Sequence, residues 1–172
     1  MRINSGTTMK PKLLVGTGGD AVLTKIVSCI SDIECTPFFS MTPEGDKRNK
    51  KRTVAEFQAL AESVLAEAIP EIKWHTEHCP NPQYRDRIDI FGIGEGFLVV
   101  IELDTTRADQ VAKKFVSRLA ILPPTTIYFI SICYPGTKKM DKSECVKYFG
   151  YCSALANRMG NYYGGFMIAK KT

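Results

Sequence analysis

Arg87–Asp104 reads RIDIFGIGEGFLVVIELD. Two short apolar runs, Arg87–Ile93 and Phe97–Leu103, flank Gly94-Glu95-Gly96, and the pattern predicts two strands joined by a tight hairpin turn. The second run is almost continuously apolar, as expected of a central strand covered on both faces. Three acids interrupt this otherwise greasy segment: Asp89 in the first strand, Glu102 and Asp104 in the second. Glu102 and Asp104 are two residues apart, so they share one face of the sheet, and the hairpin can bring Asp89 beside Glu102.

The flanking sequence extends this hairpin into an α/β pattern. Upstream, Thr53–Ile69 carries an apolar stripe of Val54, Phe57, Ala61, Val64, Leu65 and Ala68 at helical spacing. Thr53 and Glu56 have the spacing of a capping box, and Pro70 stops the helix. Glu71–His78 reads as a further strand. Downstream, Thr106–Ala120 predicts a helix with Val111, Phe115 and Leu119 inward. Thr125–Cys133 is a β-branched and aromatic strand, and Asp141–Met159 is another helix. The order is helix, three strands, helix, strand, helix: a mixed sheet flanked by helices, an α/β sandwich of three layers.

Residues 1–52 are expected to form an N-terminal arm, helix and basic loop packed on a core domain of residues 53–172. Within them Asp20 can cap a helix over Ala21–Ile33, and Met41–Arg52 reads as a polar loop ending in a basic cluster. The glycines of Gly16-Thr-Gly-Gly-Asp20 lack the spacing of either nucleotide-binding glycine motif and read as turn residues. The tail from Gly160 leaves open a short final strand or loose packing.

At 172 residues the chain is long enough to bury a core without staples. With 44% hydrophobic and 24% charged residues and a mean hydropathy of −0.10, it falls outside the disordered and low-complexity classes. No apolar run approaches the roughly 18 residues of a membrane span. The N-terminus has no secretory pattern, so a cytoplasmic setting is expected. The six cysteines form no C-x-x-C and read as small buried hydrophobes.

Charge is segregated along the chain. Residues 1–52 carry nine basic and five acidic side chains, residues 53–104 three and ten, and residues 105–172 eleven and three. An acidic middle between basic flanks fits a carboxylate site framed by a phosphate-attracting surface; solvated helix faces would give the same count. Three carboxylates on one sheet face repel one another unless protons or a cation compensate. A hard divalent cation with oxygen ligands is the natural counter-charge, and such an ion supports phosphodiester hydrolysis. The bland alternative pairs these acids with Arg85, Arg87 or Arg107.

This constellation, with its element order, resembles the PD-(D/E)xK nuclease superfamily, the restriction-endonuclease-like fold. The resemblance covers about residues 53–133, with 141–159 as an extra helix. Asp89 matches the first acid of the motif and Glu102 the second. It implies that Asp89 and Glu102 ligate Mg²⁺ (or Mn²⁺), with Asp104 as an extra ligand or water-orienting group. It also implies a glutamate from the preceding helix, Glu56 first and Glu62 second, and that Gln110 and Lys113 orient the water or the scissile phosphate. The sequence departs from the motif at Asp104, where the family carries its lysine. Either the metal alone activates the water, or the lysine has moved to the next helix as Lys113 or Lys114, or the site is silent.

The partner implied is DNA, with RNA left open, contacted by Arg107, Lys114, Arg118, Lys138 and Lys139. No membrane is expected, and cutting two strands with one site per chain favours a homodimer. The alternatives are a silent module that binds nucleic acid or a protein, and an enzyme acting on another phosphate ester. His75 and His78 lie an odd step apart in a strand, which predicts opposite faces and no zinc site.

Overall fold

A computed structural model describes residues 8–39, 47–135 and 137–168. In chain order its elements are β1 (Pro11–Gly16), α1 (Ala21–Ser31), α2 (Thr36–Phe39), α3 (Lys47–Ala68) and β2 (Lys73–His78). There follow β3 (Ile88–Ile93), β4 (Phe97–Asp104), α4 (Gln110–Ile121), β5 (Thr126–Cys133), α5 (Lys142–Arg158) and β6 (Tyr162–Ile168). The strands form one mixed sheet in the order β1-β6-β5-β4-β3-β2. β2, β3 and β4 are an antiparallel meander, β4, β5 and β6 run parallel, and β1 closes the far edge antiparallel to β6. The fold is α/β, an open mixed sheet between two helical layers, as the periodicity predicts.

One apolar cluster joins α1 and α3 to the sheet through Ile26, Ile30, Phe57, Leu65, Ile101 and Ile130. On the opposite face, Phe115 of α4 and Phe149 of α5 pack with Val100, Phe129 and Tyr163. Val99, Val100 and Ile101 are completely buried, so β4 is the covered central strand that its apolar run predicts. The hairpin turn is held by the Gly94 N–H donating to the Phe97 carbonyl at 3.0 Å, and Gly96 supplies the left-handed φ of 79°.

Several local expectations are corrected. The helix expected from Thr53 already runs from Lys47, because Lys and Arg are good helix formers and nothing in Lys47–Arg52 breaks the turn. Thr53 is therefore inside α3 rather than its cap. Glu56 pairs with Arg52 one turn back, at 2.9 Å, instead of closing a capping box. Residues 41–46 of the expected loop lie outside the described residues. The helix expected from Thr106 begins at Gln110: Arg107 grips the Asp109 carboxylate with two hydrogen bonds, and a tight turn precedes the first α-helical residue.

The N-terminal region is part of the sheet, since β1 pairs with β6 and α1, capped by Asp20 onto the Leu23 N–H, buries Leu23, Ile26 and Ile30. The C-terminal segment is an interior strand. Its Gly165 is required by a close approach: a Cβ there would lie 2.4 Å from the Phe149 ring.

Candidate active site

β3 and β4 pair from Ile93–Leu98 to Ile90–Ile101. Continuing that register sets Asp89 opposite Glu102. There the Asp89 carboxylate, through Oδ2, accepts the Leu103 N–H at 2.7 Å. Glu102 and Asp104 share the face of Val100, the face covered by α4, and both are buried, at 1% and 6% exposure. The hairpin thus gathers the three acids that the sequence singles out.

α4 lies over them with a polar stripe. Gln110, Lys114 and Arg118 recur every four residues, one above another on the helix surface. The Lys114 ammonium lies 3.0 Å from Asp104 Oδ1, 3.1 Å from Glu102 Oε2 and 3.6 Å from Asp89 Oδ2, and it donates to the Leu103 carbonyl at 2.9 Å. Arg118 is buried. Its Nε donates to Glu102 Oε1 at 2.7 Å, and its Nη atoms donate to the Arg87 carbonyl, Asp86 Oδ1 and Ser117 Oγ. Arg118 thereby ties the approach to β3 onto β4 and fixes the Glu102 carboxylate.

With every group ionised the charges would not cancel: Asp86, Asp89, Glu102 and Asp104 face one ammonium and one guanidinium. Two buried oxygens, Glu102 Oε2 and Asp104 Oδ2, make no hydrogen bond. Oε2 is close to the ammonium, but not in hydrogen-bond geometry. Burial pushes the Glu102 carboxyl up to about 8, against the pull of Lys114, and Asp89 adds to the rise. Burial raises Asp104 as well, again opposed by Lys114. The ammonium is held charged by Asp104, Glu102 and Asp89, which outweigh its own desolvation.

Hard carboxylate oxygens buried without donors suit a divalent cation such as Mg²⁺. As they stand they surround the ammonium, and no three His, Cys, Asp or Glu side chains among the described residues are close enough to cage an ion. The donor chemistry fits the metal; the closing of the cage requires the ammonium to move.

The other expected residues are placed as follows. Lys113 is exposed, one helical step away from the acids, and Lys114 is the lysine among them. Arg118 is a correction: the guanidinium assigned to a phosphate-facing stripe is spent on buried partners. Glu56 sits on α3, whose core residues pack on the opposite sheet face, and its carboxylate goes to Arg52. Gln110 opens α4 on the Lys114 side. Lys138 and Lys139 are exposed after β5, where the Lys139 carbonyl takes the Ala108 N–H and so borders the start of α4. Arg107 is exposed but paired with Asp109. The four-residue spacing of Gln110, Lys114 and Arg118 is the sequence signal that separates Lys114 from Lys113 and aligns Arg118 with it.

The histidines also depart from expectation. Glu77 has a φ of 51°, which breaks the strand alternation between them. Their rings come within 6.2 Å, and His78 stacks flat on Phe91 at 4.2 Å. All six cysteines are free. No described helix is long and apolar enough to cross a membrane. Comparison with family models, curated proteins and solved structures finds no match to this chain.

Proposed function

We propose that the chain is a restriction-endonuclease-like domain acting as a Mg²⁺- or Mn²⁺-dependent endonuclease on DNA. One observation carries the reading: Asp89, Glu102 and Asp104, from adjacent strands, gather under one lysine, with two buried carboxylate oxygens lacking any hydrogen bond. The element order from α3 to β5, a helix, an antiparallel meander, a helix and a parallel strand, supports it.

A divalent ion held by these three acids would polarise a phosphodiester and lower the pKa of an attacking water. Arg118 keeps Glu102 in position through Oε1, which leaves Oε2 facing the cluster. The Leu103 N–H anchors Asp89. Lys114 stands in for the lysine that Asp104 replaces in the motif, and its ammonium can stabilise charge growing on the phosphate. Gln110, on the same helix face, is available to orient water or phosphate. Two-strand cutting by one site per chain favours a homodimer.

The test is cleavage of supercoiled and linear DNA with Mg²⁺ or Mn²⁺, beside Asp89→Asn and Glu102→Gln. Metal-dependent cutting abolished in both variants supports the nuclease. A second reading, a silent nuclease-fold module that binds nucleic acid or a protein, draws on the partial compensation of the acids by Lys114 and Arg118. An inert wild type that retains salt-sensitive DNA binding favours it.

A further inference from the structure

The ammonium of Lys114 has three N–H donors and four oxygens within 3.6 Å: the Leu103 carbonyl and one oxygen each of Asp104, Glu102 and Asp89. That shell, at 2.9–3.6 Å, has the composition of a hard-cation site but is too wide for one. Mg²⁺ needs oxygens at about 2.0–2.1 Å. The acids must draw inward to close on an ion, and the ammonium stands where they would close. A divalent ion added beside it would meet a fixed positive charge at contact range, in a site where Glu102 and Asp104 are shielded from water. The Lys114 side chain is one-fifth exposed and carried on a flexible stem, so it has a route out.

We infer that Lys114 is a built-in counter-cation, holding the three acids together in the resting protein and leaving the cluster when a divalent ion enters. This rests on the metal-dependent reading above and adds an antagonism to it. The lysine that serves the reaction also weakens metal binding in the free protein. Its displacement sets a mobile ammonium at the mouth of the site, where a phosphate is the natural new partner. Metal and nucleic acid therefore bind with positive coupling, each favouring the lysine position that the other needs.

The test measures Mn²⁺ binding without nucleic acid, by the loss of the free-ion resonance signal, for wild type, Lys114→Met, Lys114→Arg and Lys113→Met. Lys114→Met is expected to bind Mn²⁺ at least about tenfold tighter than wild type. Lys114→Arg keeps the charge and should bind no tighter than wild type, and Lys113→Met should match it. The wild type provides a measurement that needs no folded variant. With ¹³C-labelled lysine side chains, the Lys114 ε-carbon signal should move on Mg²⁺ titration while the other lysines stay fixed. Equal or weaker Mn²⁺ binding by Lys114→Met, or a Lys114 signal that Mg²⁺ leaves in place, overturns the exchange while wild-type metal binding, and the nuclease reading, stand. Absence of Mn²⁺ binding in wild type and every variant overturns both.

Discussion

Glu102 is buried and tightly held. It lies near the carboxyl end of β4, 1% exposed, and is pinned by Arg118. Burial lifts its carboxyl from an ordinary 4.5 to about 8. The consequence for stability has a definite sign. Below 4.5 the folded and unfolded chains both hold the proton. Between 4.5 and 8 only the folded chain holds it, so metal-free stability falls as pH rises through that window and levels off above it. Asp104, also raised, adds to the fall at the acidic end. In Glu102→Gln the position is neutral at every pH and Oε1 remains for Arg118. Urea midpoints in chelator at pH 5, 6.5 and 8 should therefore decline less than in wild type, and equal declines would show that burial of this carboxylate is not the cause. Lys113 and Lys114 are neighbours in sequence but differ sharply in consequence. Under the proposed nuclease reading, Lys114→Met should lower kcat by about 10²-fold or more, as removal of one charge-stabilising donor does. Lys113→Met, on the exposed face, should leave kcat within a few-fold, and steady-state cleavage rates decide between them.

Gly165 sits in β6 beneath the fully buried Phe149 ring of α5, where any Cβ would lie within 2.4 Å of the ring. Gly165→Ala should cost about 1–3 kcal/mol by forcing helix and sheet apart. Phe149→Leu in the same chain should recover part of it, a non-additivity expected of groups in contact. Denaturation of the two single variants and the double one measures the coupling, and strict additivity would refute the contact. The same element marks where sequence reading falls short. β3, β4, β5 and α5 were legible because alternation, continuous apolar runs and breakers mark them locally. β6 is legible only as one of two open possibilities, because Gly164 and Gly165 carry no strand propensity; they are there to let Ile130 and Phe149 approach, a requirement set by other elements. The start of α3 is not legible locally: Thr53 and Glu56 match a cap by spacing alone, while the basic residues before them extend the helix. The carboxylate triad was legible from one hairpin. Its cations are legible only in part: local charge leaves Lys113 and Lys114 both open, and helix phase selects Lys114 and buries Arg118.

At the scale of the whole molecule, exposed lysines lie on more than one side of the buried acids Glu102 and Asp104. The acids are under α4, whereas exposed Lys138 and Lys139 lie beyond the carboxyl end of β5, whose last residue Cys133 pairs with Asp104, and the Lys139 carbonyl takes the Ala108 N–H just before α4. Lys147 is on α5, committed to Glu144 at 2.7 Å and lying over the Tyr148 ring. A net charge of +5 attracts a polyanion from any direction, so affinity alone does not locate the binding face. The salt dependence does, because each phosphate contact releases counterions and contributes about −0.9 to the slope of log K against log salt on duplex DNA. If substrate crosses the acids, Lys138 and Lys139 contact its backbone and Lys147 does not. In an Asp89→Asn background, which prevents cutting, replacing both Lys138 and Lys139 by alanine should reduce the slope by about 2. Lys147→Ala should leave it unchanged. Fluorescence anisotropy of a labelled duplex across a salt series measures both. A slope that responds equally to all three lysines would mean that the duplex is held by net charge without a preferred face, which is incompatible with a phosphate presented to Asp89, Glu102 and Lys114.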